Sequence, residues 1–186
     1  MRRNSKRDRG GLKMVQTYSI QETLRDGRSV TIRSLRPEDR SAMLSAVGRV
    51  SAEALYRRFF GPKRGFTDKE IDYFVNVDFD KHVALVAVID ESGERIIIGG
   101  GRYIETEPGT AELAFAVVDG YQGLGIASAL LRHLVLIARN SGVRMLAADV
   151  LPDNGSMLAV FRKFGFVSTR KAGEVHVVLG LDQKPS

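Results

Sequence analysis

The sequence contains no cysteine and no tryptophan, and only 3 histidines and 5 prolines among its 186 residues. Without cysteine there is no disulfide framework, no thiolate nucleophile and no zinc–thiolate site. The histidines stand apart at His82, His133 and His176, without the spacing of a ligand set, so no metal is expected. No run approaches the ~18 consecutive apolar residues of a membrane span. The basic N-terminus has no apolar stretch behind it, so no secretory signal is expected. Together these absences lead to the expectation of a cytoplasmic protein with no membrane partner.

What is present is the composition of a globular protein, 44% hydrophobic and 27% charged. A chain of this length fits one domain that buries roughly 70% of its unfolded surface. The net charge of +6 is not spread over it. Residues 1–13 hold six basic side chains (Arg2, Arg3, Lys6, Arg7, Arg9, Lys13) against one acid, Asp8, so this segment carries five of the six net charges. It lacks apolar residues to bury and is expected to be a disordered basic tail, with the folded domain over residues 14–186. The tail is read as a solvated extension, or as an upstream start with Met14 as an alternative initiator. It is not read as a nucleic-acid interface.

Along the chain, residues 18–35 read as two short strands around Asp26-Gly27, a type I′ hairpin signal. Pro37 opens a helix through about Gly48. Ser51 caps a second helix that Gly61-Pro62 ends, and "TDKE" from Thr67 is a capping box opening a third. Strands are expected over 82–90 and 94–105 about the Ser92-Gly93 turn, and over 111–118 after Pro108-Gly109. Apolar residues at helical spacing mark 126–139; a strand at 143–151, a helix at 156–164 and a strand at 174–181 complete the pattern. This order predicts a single α/β (α+β) domain, a mixed and mostly antiparallel twisted sheet with helices on both faces.

The stretch "VVDGYQGLGIAS", Val117 to Ser128, places three glycines between a strand and a helix. A P-loop needs G-x-x-x-x-G-K-S/T, and no lysine occurs between Asp119 and Arg132. A dinucleotide fold is disfavoured because its third glycine position is Ser128 and only about sixty residues follow the loop. The remaining reading sets successive backbone N–H groups and a helix dipole against another phosphate. Gln122-x-x-Gly125-x-Ala127 fits the Gln/Arg-x-x-Gly-x-Gly/Ala pattern that binds the pyrophosphate of coenzyme A.

On this motif, with "VTIRSLRPED", "AELAFAVV" and "NGSMLAVFRKFGF", the chain resembles the GNAT family of N-acetyltransferases from about Leu24 to Gly180. "YRRFFGPKRGFTDKEI", "VDFDKHVALVAV" and "AELAFAVVDGYQGLGIASALL" are most similar to the catalytic domain of bacterial protein lysine acetyltransferases that act on acyl-CoA synthetases. The resemblance implies acetyl-CoA as donor, no metal, a protein lysine as acceptor and an acyl-CoA synthetase as partner. Members of that group often carry a fused regulatory domain; the expectation from 186 residues is a catalytic domain alone.

Transfer to an amine needs a base, because a lysine amine of pKa ~10.4 is mostly protonated at neutral pH. Glu112 interrupts an apolar strand on the pleat face of Ala114, Ala116 and Val118. Read from the residues alone, it is either that base or a strand-end glutamate, solvated or paired with an arginine. The resemblance implies the base. It also implies coenzyme contacts from Ala116, Val117 and Val118, from Gln122, Gly123, Leu124, Gly125, Ile126, Ala127 and Ser128, and from Asn154 and Phe161. A main-chain N–H near Val117 is its oxyanion donor, where the strand diverges from its neighbour. Asn154 is either a turn residue or a bridge to the pantetheine arm. Phe161 stands where many GNAT enzymes carry a tyrosine acid and has no proton to give. Two other readings stay open: a small-molecule amine acetyltransferase and a non-catalytic coenzyme A sensor.

Overall fold

The structure, a computed structural model, describes residues 14–59 and 66–181. The basic tail and the Gly61-Pro62 helix end lie outside the described residues. Strands β1 (Ser19–Thr23) and β2 (Ser29–Ser34) form the first hairpin, followed by a 3₁₀ turn at Pro37–Asp39. Three short helices follow: α1 (Arg40–Val47), α2 (Ala52–Phe59) and α3 (Asp68–Val75). Then come β3 (His82–Glu91), β4 (Glu94–Glu107), β5 (Thr110–Val117), α4 (Ile126–Asn140) and β6 (Met145–Val150). Helix α5 (Gly155–Lys163) and strands β7 (Val167–Lys171) and β8 (Glu174–Gly180) close the chain. The strands make one eight-stranded sheet in the order β1-β2-β3-β4-β5-β6-β8-β7. The expected mixed sheet with helices on both faces is what forms.

Local chemistry sets most boundaries. Thr67 Oγ1 accepts from the Glu70 N–H at 3.3 Å and the Glu70 carboxylate accepts from the Thr67 N–H at 2.8 Å, completing the capping box of α3. Ser51 Oγ accepts from the Ala54 N–H at 3.2 Å and starts α2. Ser92 (φ 56°) and Gly93 (φ 84°) form a true two-residue type I′ turn between Glu91 and Glu94. The first hairpin differs from its expectation. Only Gly27 (φ 86°) is left-handed there; Asp26 is not. The Leu24 N–H donates to the Arg28 carbonyl at 2.9 Å and the Gly27 N–H to the Leu24 carbonyl at 3.0 Å. This is a three-residue loop closing on a left-handed glycine, and it leaves Arg25 at its tip.

Alternation along β3 divides the interior in two. Val83, Leu85, Ala87 and Ile89 pack with Leu130, Leu131 and Leu134 of α4, whereas Ala84, Val86 and Val88 pack with Leu35, Ala46 and Ile97 beneath α1. Each leucine buried from α4 contributes roughly 1.5–3 kcal/mol relative to exposure. Glycines in β4 let elements of the first side come close. A Cβ on Gly101 would stand 2.8 Å from the Phe115 ring, and one on Gly99 would stand 3.0 Å from Ile126 Cγ2. The N-terminus of α4 therefore rests directly on the sheet.

One seam in the sheet is incomplete. Strands β5 and β6 are parallel neighbours over three rungs only, Thr110 with Met145, Ala111 with Leu146 and Glu112 with Ala147. Beyond Glu112, β5 continues along β4 and β6 continues along β8. The gap between them is a V, and Glu112 stands at its apex.

Candidate active site

The open arm of the V leads into a cleft of about 730 Å³ that reaches from the glycine loop past Glu112 to α2 and α5. Tertiary structure builds one end of it from main chain. Gly120, Gly123 and Gly125 all adopt left-handed backbone (φ 81°, 77° and 92°), which turns the loop so that α4 begins at its mouth. Among the described residues, no acceptor is found for the backbone N–H groups of Gln122, Gly123 and Gly125 to Ser128. Nor does a side chain cap α4, and no acid occupies its first turn. A row of free amides at the positive end of a 15-residue helix is an anion cradle.

The loop is held from both sides. Asp119 Oδ1 accepts from the Ser51 N–H at 3.1 Å and from Gln122 Nε2 at 3.3 Å, tying the loop to the start of α2. From the other side Arg25 Nη1 donates to the Gly123 carbonyl at 3.1 Å, and the Arg25 N–H to the Leu124 carbonyl at 3.2 Å. Ala116, Val117, Gln122, Gly123, Gly125, Ile126, Ala127 and Ser128 line the cleft. The Leu124 side chain packs on the first core instead. Val118 turns into the second core and spends its N–H on the Ile98 carbonyl at 2.9 Å. Because N–H direction alternates along a strand, the Val117 N–H points the other way, toward the gap.

The Glu112 side chain is exposed in the cleft, and its carboxylate has neither a hydrogen bond nor an ion pair among the described residues. Asn154 caps α5, its Oδ1 accepting from the Met157 N–H at 3.3 Å and from Ser156 Oγ at 3.1 Å. Phe161 is 2% exposed, its ring 6.1 Å from that of Phe115 and 4.8 Å from that of Phe166, with its edge on the cleft wall. Among the described residues no group of three or more metal-ligating side chains forms, and no helix is long and apolar enough to cross a membrane.

Sequence reasoning passed over Arg25 and Arg102, which line the cleft, and Asp119, which ties its loop to α2. Arg25, Asp119 and Arg102 carry no local motif; a hairpin tip, a loop tie and a strand register bring them in. Arg102 does interrupt an apolar strand as Glu112 does, and that signal was available. Its guanidinium is pushed down to about 10 by burial and by the charge of Arg58. His82 beside it is pushed down to about 4, first by burial and then by Arg102.

Known proteins with this arrangement define the class. The sequence profile of the acetyltransferase (GNAT) family matches residues 49–166. An acetyltransferase of Pseudomonas aeruginosa is 35% identical over 150 residues, covering 80% of this chain and 81% of its own. The acetyltransferase Pat of Mycolicibacterium smegmatis is 34% identical over 150 residues, but the match spans only 44% of its length. The GNAT domain of S. lividans PAT superposes with a TM-score of 0.81 at 35% identity, over 87% of this chain and 96% of that one. At 19% identity, yncA from Salmonella typhimurium, solved with acetyl-CoA, shares the fold with a TM-score of 0.68 over 84% of this chain and 96% of its own. The chain belongs to the GNAT acetyltransferase family. Acetyl-CoA is accordingly its acyl donor, and the free amides and the V-shaped gap fit that coenzyme's pyrophosphate and extended arm.

Proposed function

We propose that this protein acetylates a lysine side chain of another protein, with Glu112 as general base. The observation that carries the reading is the unpaired Glu112 carboxylate at the last β5–β6 rung, in the same cleft as the amide cradle. Kinship with Pat of M. smegmatis and S. lividans PAT supports the choice of acceptor. A cytoplasmic acyl-CoA synthetase is the candidate partner.

Each group then has a task. The cradle from Gln122 to Ser128 holds the pyrophosphate, and the gap between β5 and β6 receives the pantetheine arm in an extended form. The thioester thereby arrives at the apex of the V. Glu112 takes a proton from the incoming ammonium, directly or through one water, and leaves a nucleophilic amine. As the C–N bond forms and the C–S bond breaks, the Val117 N–H stabilises negative charge developing on the carbonyl oxygen. The sulfur departs with the bonding pair and takes up the second proton, which the newly acylated nitrogen sheds as the amide forms. No side-chain acid is needed, because a thiol of pKa ~8.5 is a fair leaving group. Phe161 serves as an apolar wall there.

The test is to incubate the protein with acetyl-CoA and an acyl-CoA synthetase, measuring lysine acetylation and free-thiol release. A parallel panel of polyamines, amino acids and aminoglycosides is assayed the same way. Acetylation of the synthetase well above the panel is expected. Turnover confined to the small amines would replace the protein acceptor, and tight coenzyme binding with no thiol release would replace catalysis with sensing.

A further inference from the structure

Two guanidinium groups line the cleft near Glu112 with no carboxylate among the described residues to neutralise them. Arg102 on β4 stands opposite Ala114, and the next residue on its face, Ile104, stands opposite Glu112. Arg102 and Glu112 are thus diagonal neighbours on one face, about 7–8 Å apart by strand geometry. Arg102 Nη1 donates to the Phe74 carbonyl at 3.2 Å and to His82 Nε2 at 3.0 Å, and its guanidinium lies 4.7 Å over the Phe74 ring. The rest of its fork has no acceptor among the described residues.

Arg58 on α2 has the Phe59 ring at 4.7 Å and no acceptor among the described residues. Burial pushes it below the usual guanidinium range, and its charge acts on Arg102. His82 is held neutral, so it adds no third positive charge and supplies no negative one. The neighbouring Arg57 shows the ordinary solution, pairing with Glu53 at 2.7 Å and with Asp153 at 3.4 Å. Half-buried cations without counter-charges are costly, and they persist where a ligand completes them.

We infer that Arg58 and Arg102 form a carboxylate-receiving subsite for the acceptor, so that the preferred lysine is flanked by an acidic residue. The inference rests on the reading of Glu112 as the base that receives the lysine amine. Spacing favours an acid two residues away. In an extended peptide, residues i and i+2 share a face and lie roughly 6.6–7 Å apart. That matches the diagonal from Glu112 to Arg102.

The experiment compares lysine peptides carrying Glu or Gln two residues from the lysine, with free glutamate as a third acceptor. For the wild-type protein, kcat/KM is expected to be at least tenfold higher for the Glu peptide. That ratio falls toward one in Arg58→Gln and in Arg102→Gln, and Arg102→Lys restores part of it, since a point charge replaces the fork only partly. Coenzyme binding by calorimetry reports that each variant is folded; Arg58, on a peripheral helix, keeps the test usable if Arg102→Gln is not. Peptides with norleucine in place of lysine give the same Glu-to-Gln comparison as a Kd ratio, so the subsite is read even if the base assignment fails. Equal kcat/KM and equal Kd for the two peptides would overturn the inference, as would a Glu preference surviving in both Gln variants. Free glutamate outcompeting both peptides would overturn the peptide acceptor.

Discussion

Arg25 reaches from the tip of the β1–β2 hairpin to the carbonyl of Gly123, donating at 3.1 Å, so the first hairpin of the chain braces the amide cradle. Its Cγ lies 3.7 Å from where a Cβ on Gly125 would stand, which places it along the whole turn. The bond is exposed, and about 1 kcal/mol is a fair value for such a tie. Arg25→Ala is expected to raise the coenzyme Kd about fivefold by calorimetry, with kcat at saturating donor unchanged within about twofold.

The free N-terminus of α4 makes a prediction with opposite signs on stability and binding. Ala127→Asp places a carboxylate in the first turn, where the helix dipole favours it by about 0.3–1 kcal/mol. The same charge occupies the space proposed for pyrophosphate. Thermal unfolding should move up slightly or not at all, while coenzyme affinity falls at least tenfold. A helix end with only a structural role would show the first effect without the second.

His82 is 7% exposed and titrates near 4, against 6.5 for the free side chain. Between those values the unfolded chain binds a proton that the native state refuses. Stability therefore rises with pH from about 4 to 6.5 and is lost as pH falls through that window. The expected loss between pH 7.5 and 5 is about 2 kcal/mol by urea unfolding. His82→Gln should be less stable at neutral pH and should show a flatter profile across the same range.

The parts of this fold that could be read from sequence are those where one local pattern settles the outcome. The 3.6-residue apolar repeat gave α4 nearly to the residue, and the capping box gave α3. Strand β7 escaped because all five of its residues, Val167 to Lys171, are exposed at the sheet edge, so no apolar alternation marks it. The Asp26-Gly27 dipeptide suits two turn types equally, and only the Leu24–Arg28 pairing selects between them. In the site, Gln122, Gly125 and Ala127 announce themselves by spacing along one loop. Arg25 arrives through a hairpin tip that no window of sequence contains, and Arg102 through a cross-strand register, marked in the sequence only as a charge inside an apolar strand. The divergence of β5 from β6 after Glu112 is likewise a property of three strands together.

The role proposed for Glu112 is to act on the acceptor and not on the coenzyme. It is tested most directly by Glu112→Gln, a change that keeps shape and removes the base. A fall in kcat/KM of about 10²–10⁴, loss of the ascending limb of the pH–rate profile, and an unchanged Kd for acetyl-CoA are expected. Full activity of Glu112→Gln with its pH profile intact would contradict it.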